Sequence, residues 1–357
     1  MKYSFKIGSV WGVPIELHLT FIILMIGVLI LSYPQLYPFA LVLFLFIFVV
    51  LHELAHSVVA RHYKIQVRKI VLYPIGGVSE IEEISENPRI EWRVSIAGPL
   101  ASFAIGSFLI ALDRVLLLEV PKTSIGSPLS TVGSFALDLG LLNLLLGAFN
   151  LIPAFPMDGG RVFRAFLAEH MNFSDATKYA AFLGRLFGIL MVLFGFIFPS
   201  YFLLIVVGVF VYIGATEETE STIVSTTLAR VRVRDVMSSE VAAVSPSTTL
   251  DEAVEMMFKA RYHDAIVEKD GELLGIVTWS EIMKVKKGQR SAMLIEQLPL
   301  IQVSVFADDS VLEAHKVMLK QRIDLVPVVE KENPRRITGV LTNEGVARSY
   351  EKAKTLR

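Results

Sequence analysis

An apolar run of about twenty residues begins near Phe39 and ends with HELAH at positions 52–56. A run of this length is predicted to cross a bilayer as a helix, because backbone amides in lipid must be hydrogen-bonded within their own segment. In a helix, positions i and i+4 lie on one face, so His52 and His56 can bind the same Zn²⁺ ion. Glu53 follows directly and is placed to act as a general base towards water. Ionisable side chains are costly inside a bilayer, which favours a metal site over a chance pattern with hydrogen-bonded histidines.

The composition separates a membrane part from a water-soluble part. The chain has 357 residues, of which 53% are hydrophobic, a higher share than soluble globular proteins usually have. Apolar runs fill positions 17–215, whereas positions 230–357 have the mixed composition of a soluble domain. We therefore expect an α-helical membrane domain of about six transmembrane helices at 1–215, a linker at 216–230 and a soluble α/β module after it. The net charge of −1 and the lack of a basic cluster argue against nucleic acid as a partner, and the absence of cysteine excludes thiolate ligands.

Six segments are long or apolar enough to cross a bilayer, and they span residues 13–31, 39–60, 94–118, 132–152, 183–198 and 201–215. Lys and Arg cluster in the connections after the second and fourth segments, whereas the opposite connections contain only Lys122. The positive-inside rule then predicts a multi-pass protein of the cell membrane with both termini and the soluble module in the cytoplasm. His52 and His56 fall near the cytoplasmic end of the second segment.

A zinc site of this kind needs a third protein ligand and one open position for water. Asp158 is the candidate, in the stretch NLIPAFPMDGGR, which begins at Asn150 and closes the fourth segment at the depth of the histidines. Two prolines break the helix, and the glycine pair at 159–160 permits a tight reversal that could aim the carboxylate inward. Taken alone, Asp158 could equally be a turn residue. The Asn150 amide could either donate to a developing oxyanion or make a helix-packing hydrogen bond.

HELAH at the end of one apolar segment and NLIPAFPMDGGR at the end of a later one resemble the motifs of the site-2 protease family of intramembrane zinc metalloproteases. YPIGGV at 73–78 and AGPL at 97–100 agree with that family. The resemblance covers residues 1–215, and it implies cleavage of a transmembrane segment of another membrane protein. It also implies one Zn²⁺ per chain, bound by His52, His56 and Asp158. Glu53 would be the general base, and Asn150 would contact the substrate or the oxyanion.

Gly76 and Gly77 lie in the cytoplasmic connection that follows the metal helix. As in relatives of this type, the stretch GGVS could offer a strand edge to which the substrate adds as a further strand. Such an addition would hold the substrate extended, and a helical peptide bond is otherwise shielded by its own hydrogen bonds. The alternative is that the glycine pair only makes a turn.

The soluble part carries an internal repeat of about sixty residues. The repeated pieces are VSPSTTLDEAVEMM from Val244 and GIVT at 275–278 in the first copy, and VS at 303–304, EAHKVM at 313–318 and GVLT at 339–342 in the second. Each copy predicts a strand, a helix, two further strands and a second helix. The pair resembles tandem cystathionine-β-synthase (CBS) domains at 231–290 and 291–357.

The CBS family often binds adenine nucleotides in clefts between the two copies, with a Thr at phosphate and an acid three residues later at ribose. Thr278 and Glu281 keep this spacing, so the resemblance implies an ATP or AMP site there. In the second copy Gly345 stands three residues after Thr342, where the acid belongs, and one nucleotide per chain is expected. The alternative is a purely structural module, or one that forms a homodimer.

Two classes of function remain open at this point. The first is a membrane-embedded zinc endopeptidase that is gated by the nucleotide-sensing CBS pair. The second is a CBS-regulated transporter or channel, in which the intramembrane His, Glu and Asp side chains would line an ion path. Replacement of Glu53 by Gln separates the two, because only a protease would lose peptide cleavage while it still binds metal.

Overall fold

The computed structural model describes residues 4–81, 87–119, 128–240 and 243–355. The chain divides into two compact units, Met1–Glu220 and Ser221–Arg357. The first unit holds a four-stranded sheet and long apolar helices, and the second holds two three-stranded sheets with helices of their own.

In the first unit a small sheet is interrupted along the chain by two helices. Its strands are β1 (Ser4–Val10), β2 (Val13–His18), β3 (Val67–Tyr73) and β4 (Gly76–Ile81). The helices are α1 (Leu19–Ser32), α2 (Tyr37–His62), α3 (Pro88–Glu119), α4 (Pro128–Asn150), α5 (Asp158–Ala168), α6 (Phe173–Ile197) and α7 (Leu203–Arg230), of which the residues up to Glu220 belong to this unit. Helix α7 continues through residues 216–230, so the segment that the sequence indicated as a linker is helical.

The sheet lies against α2, the helix that carries HELAH. Its strand order is β1-β2-β3-β4, with β2 and β3 parallel and the other neighbours antiparallel. Val13 and Ile70 of the sheet form a buried cluster with Leu54 of α2. Within the described residues β4 pairs with β3 alone, so β4 is an edge strand with one row of unpaired backbone groups.

Among the described residues, three helices are long and apolar enough to cross a membrane: α2, the part Pro88–Val115 of α3, and α6. Helix α1 and the part Phe135–Asn150 of α4 are also apolar but shorter. These helices support a helical membrane domain, and the count of six spans stays a prediction. Lys122, which entered the prediction of topology, lies outside the described residues.

The first expected segment, residues 13–31, consists of a strand followed by a helix. Val13–His18 is β2, and α1 begins only at Leu19 and has 14 residues. In β2, Val13 and Ile15 are buried while Pro14 and Glu16, which follow them, are only half-buried, a period-two pattern typical of a strand. The prediction of one continuous span was wrong here, because the high apolar content of the segment obscured this short alternation.

The second unit repeats one arrangement twice. The first half contains β5 (Ala243–Val244), α8 (Leu250–Ala260), β6 (Asp264–Lys269), β7 (Glu272–Thr278) and α9 (Trp279–Met283). The second half contains β8 (Val305–Phe306), α10 (Val311–Gln321), β9 (Leu325–Val329), β10 (Ile337–Thr342) and α11 (Asn343–Thr355). In each sheet the first two strands are parallel and the last two antiparallel. Helices α8 and α10 also end alike, at Arg261 and Arg322 in the left-handed conformation, as expected for an internal repeat.

Candidate metal centre

Helix α2 and the start of α5 bring together three side chains of the kinds that bind metals. His52 and His56 lie one turn apart on α2 and are buried, and Asp158 is the first residue of α5. His52 Nε2 and His56 Nε2 are 3.2 Å apart, and Asp158 Oδ2 lies 3.1 Å from each nitrogen. We call this set the ligand triangle. Within the described residues it is the one group of three or more such side chains close enough to hold a metal ion.

The ligand triangle has the dimensions of one face of a zinc tetrahedron. Zinc bonds of about 2.0–2.1 Å place tetrahedral ligand atoms about 3.3–3.4 Å apart. His56 Nδ1 lies 2.7 Å from the Val94 carbonyl oxygen, which can only accept, so Nδ1 carries the proton and Nε2 of the neutral ring offers a lone pair. His52 Nδ1 is likewise hydrogen-bonded, with Ser102 Oγ at 2.9 Å. Lone pairs that converge in this way suit a shared cation, so the residues present fit one zinc ion.

Helix α3 approaches the histidines at Gly98. A Cβ atom at Gly98 would lie 2.2 Å from His56 Nε2 and 2.5 Å from His52 Nε2, far inside van der Waals contact. The glycine therefore leaves space beside the ligand nitrogens that any side chain would fill. The sequence pointed to AGPL only through its resemblance to the family. The structure adds a reason for its glycine, because only glycine fits against the two histidines at position 98.

Part of the loop before Asp158 is buried, and helix α5 packs closely on it. Ala154 and Phe155 in this loop have no exposed surface. A Cβ atom at Gly159 would lie 2.3 Å from the Ile152 carbonyl oxygen, so only glycine lets the first turn of α5 come this close. The close approach fixes where α5 begins and therefore where the Asp158 carboxylate projects.

Glu53 follows the first histidine on α2 and is contacted by strand β4. The hydroxyl of Ser79 donates a hydrogen bond of 2.6 Å to Glu53 Oε2. Gly77, two residues earlier in β4, packs on the stem of the same side chain, since a Cβ atom there would lie 2.6 Å from Glu53 Cγ. The sequence pointed to the glycine pair but not to Ser79. The signal that could have indicated Ser79 is the small residue at every second position of GGVS, Gly77 and Ser79, which lie on the same face of a strand.

A buried ion cluster holds α5 against its neighbours. The Nε atom of Arg164 in α5 donates to Glu91 Oε1 of α3 at 2.9 Å, and Arg164 Nη1 lies 3.1 Å from Glu218 Oε1 of α7. The guanidinium carbon is 4.8 Å from the centre of the Phe155 ring and 4.7 Å from that of Phe173. Burial raises the pKa of Glu218, but the nearby arginine charges outweigh it and hold that pKa below its usual value. The sequence did not reveal this cluster, because Arg164 counted there only towards the charge asymmetry of the loops.

The other residues expected at the active site are not members of the ligand triangle. Asn150 ends α4, and its Nδ2 donates to the Leu146 carbonyl at 3.0 Å, one turn back in the same helix. This bond is the helix-packing alternative that the sequence left open. Gly76 begins β4 with a φ of 145°, a conformation that L side chains rarely adopt. Gly76 and Gly77 thus belong to the edge strand that borders Glu53.

In the second unit, Thr278 and Glu281 lie at the start of α9. Thr278 Oγ1 accepts the backbone N–H of Glu281 at 3.4 Å and caps the helix. The Glu281 carboxylate pairs with Lys284 at 2.5 Å. In the other half, Gly345 donates its N–H to Thr342 Oγ1 at 3.2 Å in the matching way. The spacing therefore serves the helix start, and a ribose at Glu281 would compete with Lys284.

The chain matches two protein families. The family described as peptidase family M50 matches residues 40–119 and 112–194, and the CBS domain family matches residues 233–288 and 297–352. The protein named zinc metalloprotease MJ0392 from Methanocaldococcus jannaschii is 39% identical over 286 residues, which cover 80% of this chain and 80% of that protein. The solved structure of a site-2 protease from Methanocaldococcus jannaschii is 43% identical and covers 61% of this chain and 95% of that chain, with a TM-score of 0.47.

The first family match includes every member of the ligand triangle as well as Glu53, and the CBS matches follow later in the same chain. The identity to the archaeal zinc metalloprotease extends over four-fifths of both proteins, so it is not confined to a shared motif. The chain therefore belongs to peptidase family M50 and is a zinc metalloprotease that carries a tandem pair of CBS domains.

Proposed function

We propose that this zinc metalloprotease is an intramembrane endopeptidase that cleaves transmembrane segments of other membrane proteins. The observation that carries the proposal is the ligand triangle, two of whose members lie on a helix apolar enough to cross a bilayer. Ionisable side chains in such a helix are costly and persist mainly where a site needs them. A substrate that reaches them would itself lie in the membrane or at its surface.

In this proposal His52, His56 and Asp158 hold one Zn²⁺ per chain, which when bound supplies a Lewis acid that activates water and polarises the scissile carbonyl. Glu53 accepts the proton of the attacking water and delivers it to the leaving amine. Both imidazoles are fixed through hydrogen bonds at Nδ1, so their Nε2 atoms stay directed at the metal position.

Strand β4 is the proposed binding site for the substrate. It is an edge strand whose Gly77 lies against Glu53, so a segment added to its free edge would run beside the base. Pairing with this edge would hold the substrate extended and expose the peptide bonds that a helix shields. Gly76 and Gly77 keep the edge free of bulky side chains. Asn150 would contact the substrate or the oxyanion, which requires its amide to leave the Leu146 carbonyl.

We also propose that the CBS pair binds an adenine nucleotide, ATP or AMP, and thereby gates cleavage. The support is the spacing of Thr278 and Glu281 within a matched CBS domain. A nucleotide could shift the enzyme between open and closed states only by its difference in affinity for the two. The Lys and Arg asymmetry favours cytoplasmic termini and a cytoplasmic CBS pair. Homodimerisation through the pair is the other role that it could serve.

The decisive experiment replaces Glu53 by Gln in the full-length protein and measures zinc content and cleavage of a single-span membrane protein. We expect one zinc per chain to remain and cleavage to fall by about 10²- to 10⁴-fold. Asp158→Ala should lose zinc and cleavage together. Glu80→Gln, which removes a carboxylate from the same strand that contacts Glu53, should change neither. Full cleavage by the Glu53→Gln protein, or metal transport into vesicles that depends on these residues without any cleavage, would refute the proposal.

A further inference from the structure

The carboxylate of Glu53 is held from one side by strand β4. Ser79 Oγ donates to Glu53 Oε2 at 2.6 Å, a short distance that is typical of a hydroxyl bonded to a charged carboxylate. Within the described residues no other side chain donates a hydrogen bond to this carboxylate. Oε2 is therefore occupied by the hydroxyl, and Oε1 remains available to other groups.

The position of Ser79 is fixed by the register of the sheet. Ser79 lies opposite Ile70 of β3, and Ile70 is fully buried in the cluster that packs against α2. Residues that face each other in neighbouring strands share one side of the sheet, so Ser79 points towards α2 as Ile70 does. Val78, the preceding residue, is half exposed. A shift of one residue would replace the hydroxyl by Val78 or Glu80, so the contact depends on this register.

The stem of Glu53 is confined by the same strand. Gly77 approaches Glu53 Cγ so closely that a Cβ atom would lie 2.6 Å away, and the same Cβ atom would be 3.1 Å from Val49 Cγ1. Gly77 thus limits where the stem can go, and Ser79 limits how the carboxylate turns about its last bond. Together they restrict the orientation of the Glu53 carboxylate.

We propose that Ser79 is a positioning residue for the general base and acts only through Glu53. Its hydroxyl proton stays on Ser79 Oγ and holds Oε2, so the proton of the attacking water passes to Oε1 and from there to the leaving amine. A carboxylate without this restraint would sample rotations in which neither oxygen is directed at the water, and positioning errors of this kind lower the rate of the chemical step. This inference rests on the proposed function of Glu53 as the base.

The test compares Ser79→Ala and Ser79→Thr with Ser57→Ala in the full-length protein. Ser57 is a matched control because its hydroxyl also bonds to Glu53, but to the backbone carbonyl oxygen, at 2.9 Å. We expect Ser79→Ala to lower kcat by about 10- to 100-fold, as for loss of a hydrogen bond to a charged group. KM for a single-span test protein should stay within about twofold, because the backbone edge of β4 is unchanged. Zinc content should also be unchanged.

Ser79→Thr retains the hydroxyl, and threonine suits an edge strand, so kcat should recover to within about threefold of wild type. In a Glu53→Gln background, Ser79→Ala should cause no further loss, because the group that it positions no longer acts as a base. A merely structural role would lower activity in both backgrounds and would not be rescued selectively in kcat.

Three results would overturn the inference. If Glu53→Gln is inactive but Ser79→Ala keeps wild-type kcat, only the role of Ser79 is wrong. If Glu53→Gln keeps wild-type kcat, the proposed base is wrong and the inference about Ser79 falls with it. Loss of zinc in Ser79→Ala would likewise contradict it, since the residue would then support the ligand triangle rather than the base.

Discussion

Gly98→Ala is predicted to weaken zinc binding severely without changing any ligand. The new Cβ atom would lie 2.2 Å from His56 Nε2 and 2.5 Å from His52 Nε2. Ordinary van der Waals contact begins at 3.4 Å, so each nitrogen would have to retreat by about 1 Å. Zinc sites tolerate ligand displacements of about 0.2 Å. The displacement is therefore several times larger than a functional site allows.

The size of the expected loss of zinc affinity follows from known effects at other metal sites. Changes to groups that merely support metal ligands cost about 10- to 100-fold in metal affinity. Displacement of both imidazole nitrogens should cost more than that, so we expect zinc affinity to fall by more than about 100-fold. If α3 moved away instead, the cost would appear as lost stability of about 1–3 kcal/mol, the usual penalty for overpacking.

The assay is zinc content by elemental analysis across a series of buffered free-zinc concentrations, with circular dichroism as the check on folding. Gly27→Ala makes the same chemical change in α1, where a Cβ atom would meet no atom within 4 Å, and it should bind zinc like wild type. Gly98→Ala protein that retains helical structure and binds one zinc per chain with wild-type affinity would refute the reasoning. The ligand nitrogens could not then face α3 as described.

Three further predictions concern stability, the CBS pair and topology. Arg164→Met leaves the buried Glu91 carboxylate unpaired and should lower the free energy of unfolding by about 3–5 kcal/mol. Arg161 pairs with Glu218 at 3.7 Å in a more exposed position, so Arg161→Met should cost less than about 1 kcal/mol. Equal losses in denaturant titrations of the two variants would contradict this difference. Glu281→Ala should weaken ATP or AMP binding to the full chain in calorimetry without lowering its zinc content, and unchanged heats would remove Glu281 from the nucleotide site. A reporter fused after Arg357 should be cytoplasmic and one at position 123 external, and the opposite pattern would invert the topology.

The ligand triangle could be predicted from the sequence because each of its parts has a local signal. HELAH places His52 and His56 on one helix face by spacing alone. The prolines and glycines around Asp158 mark a break at the end of a predicted membrane segment. The CBS pair was predictable for a similar reason, since its two copies repeat the same order of strands and helices.

The groups around the triangle could not be predicted in this way, because their positions depend on contacts between distant parts of the chain. Ser79 is 26 residues from Glu53, and Ser102 is 50 residues from His52. A single serine in a strand or an apolar helix has no pattern that tells which neighbour it will meet. Its partner is decided by sheet register and helix packing, which local periodicity does not encode. The same limit explains β2, whose parallel pairing with β3 joins segments on either side of α2.

Close backbone packing around the ligand triangle explains how a polar site can exist among helices that are apolar enough to cross a membrane. Charged or polar groups at membrane depth are tolerated only where protein or a water-filled cavity covers them. Three glycines permit that cover: Gly98 brings α3 against the ligand nitrogens, Gly77 brings β4 against Glu53, and Gly159 brings α5 against its loop. A side chain at any of these three glycines would either push the two packed segments apart or occupy the space next to the ligand triangle or Glu53. The main effect of these three glycines is therefore close packing rather than chain flexibility. They allow α3, β4 and α5 to lie close to the metal site. A substitution at any one of them should disturb metal binding or base orientation before it disturbs the fold of the CBS pair.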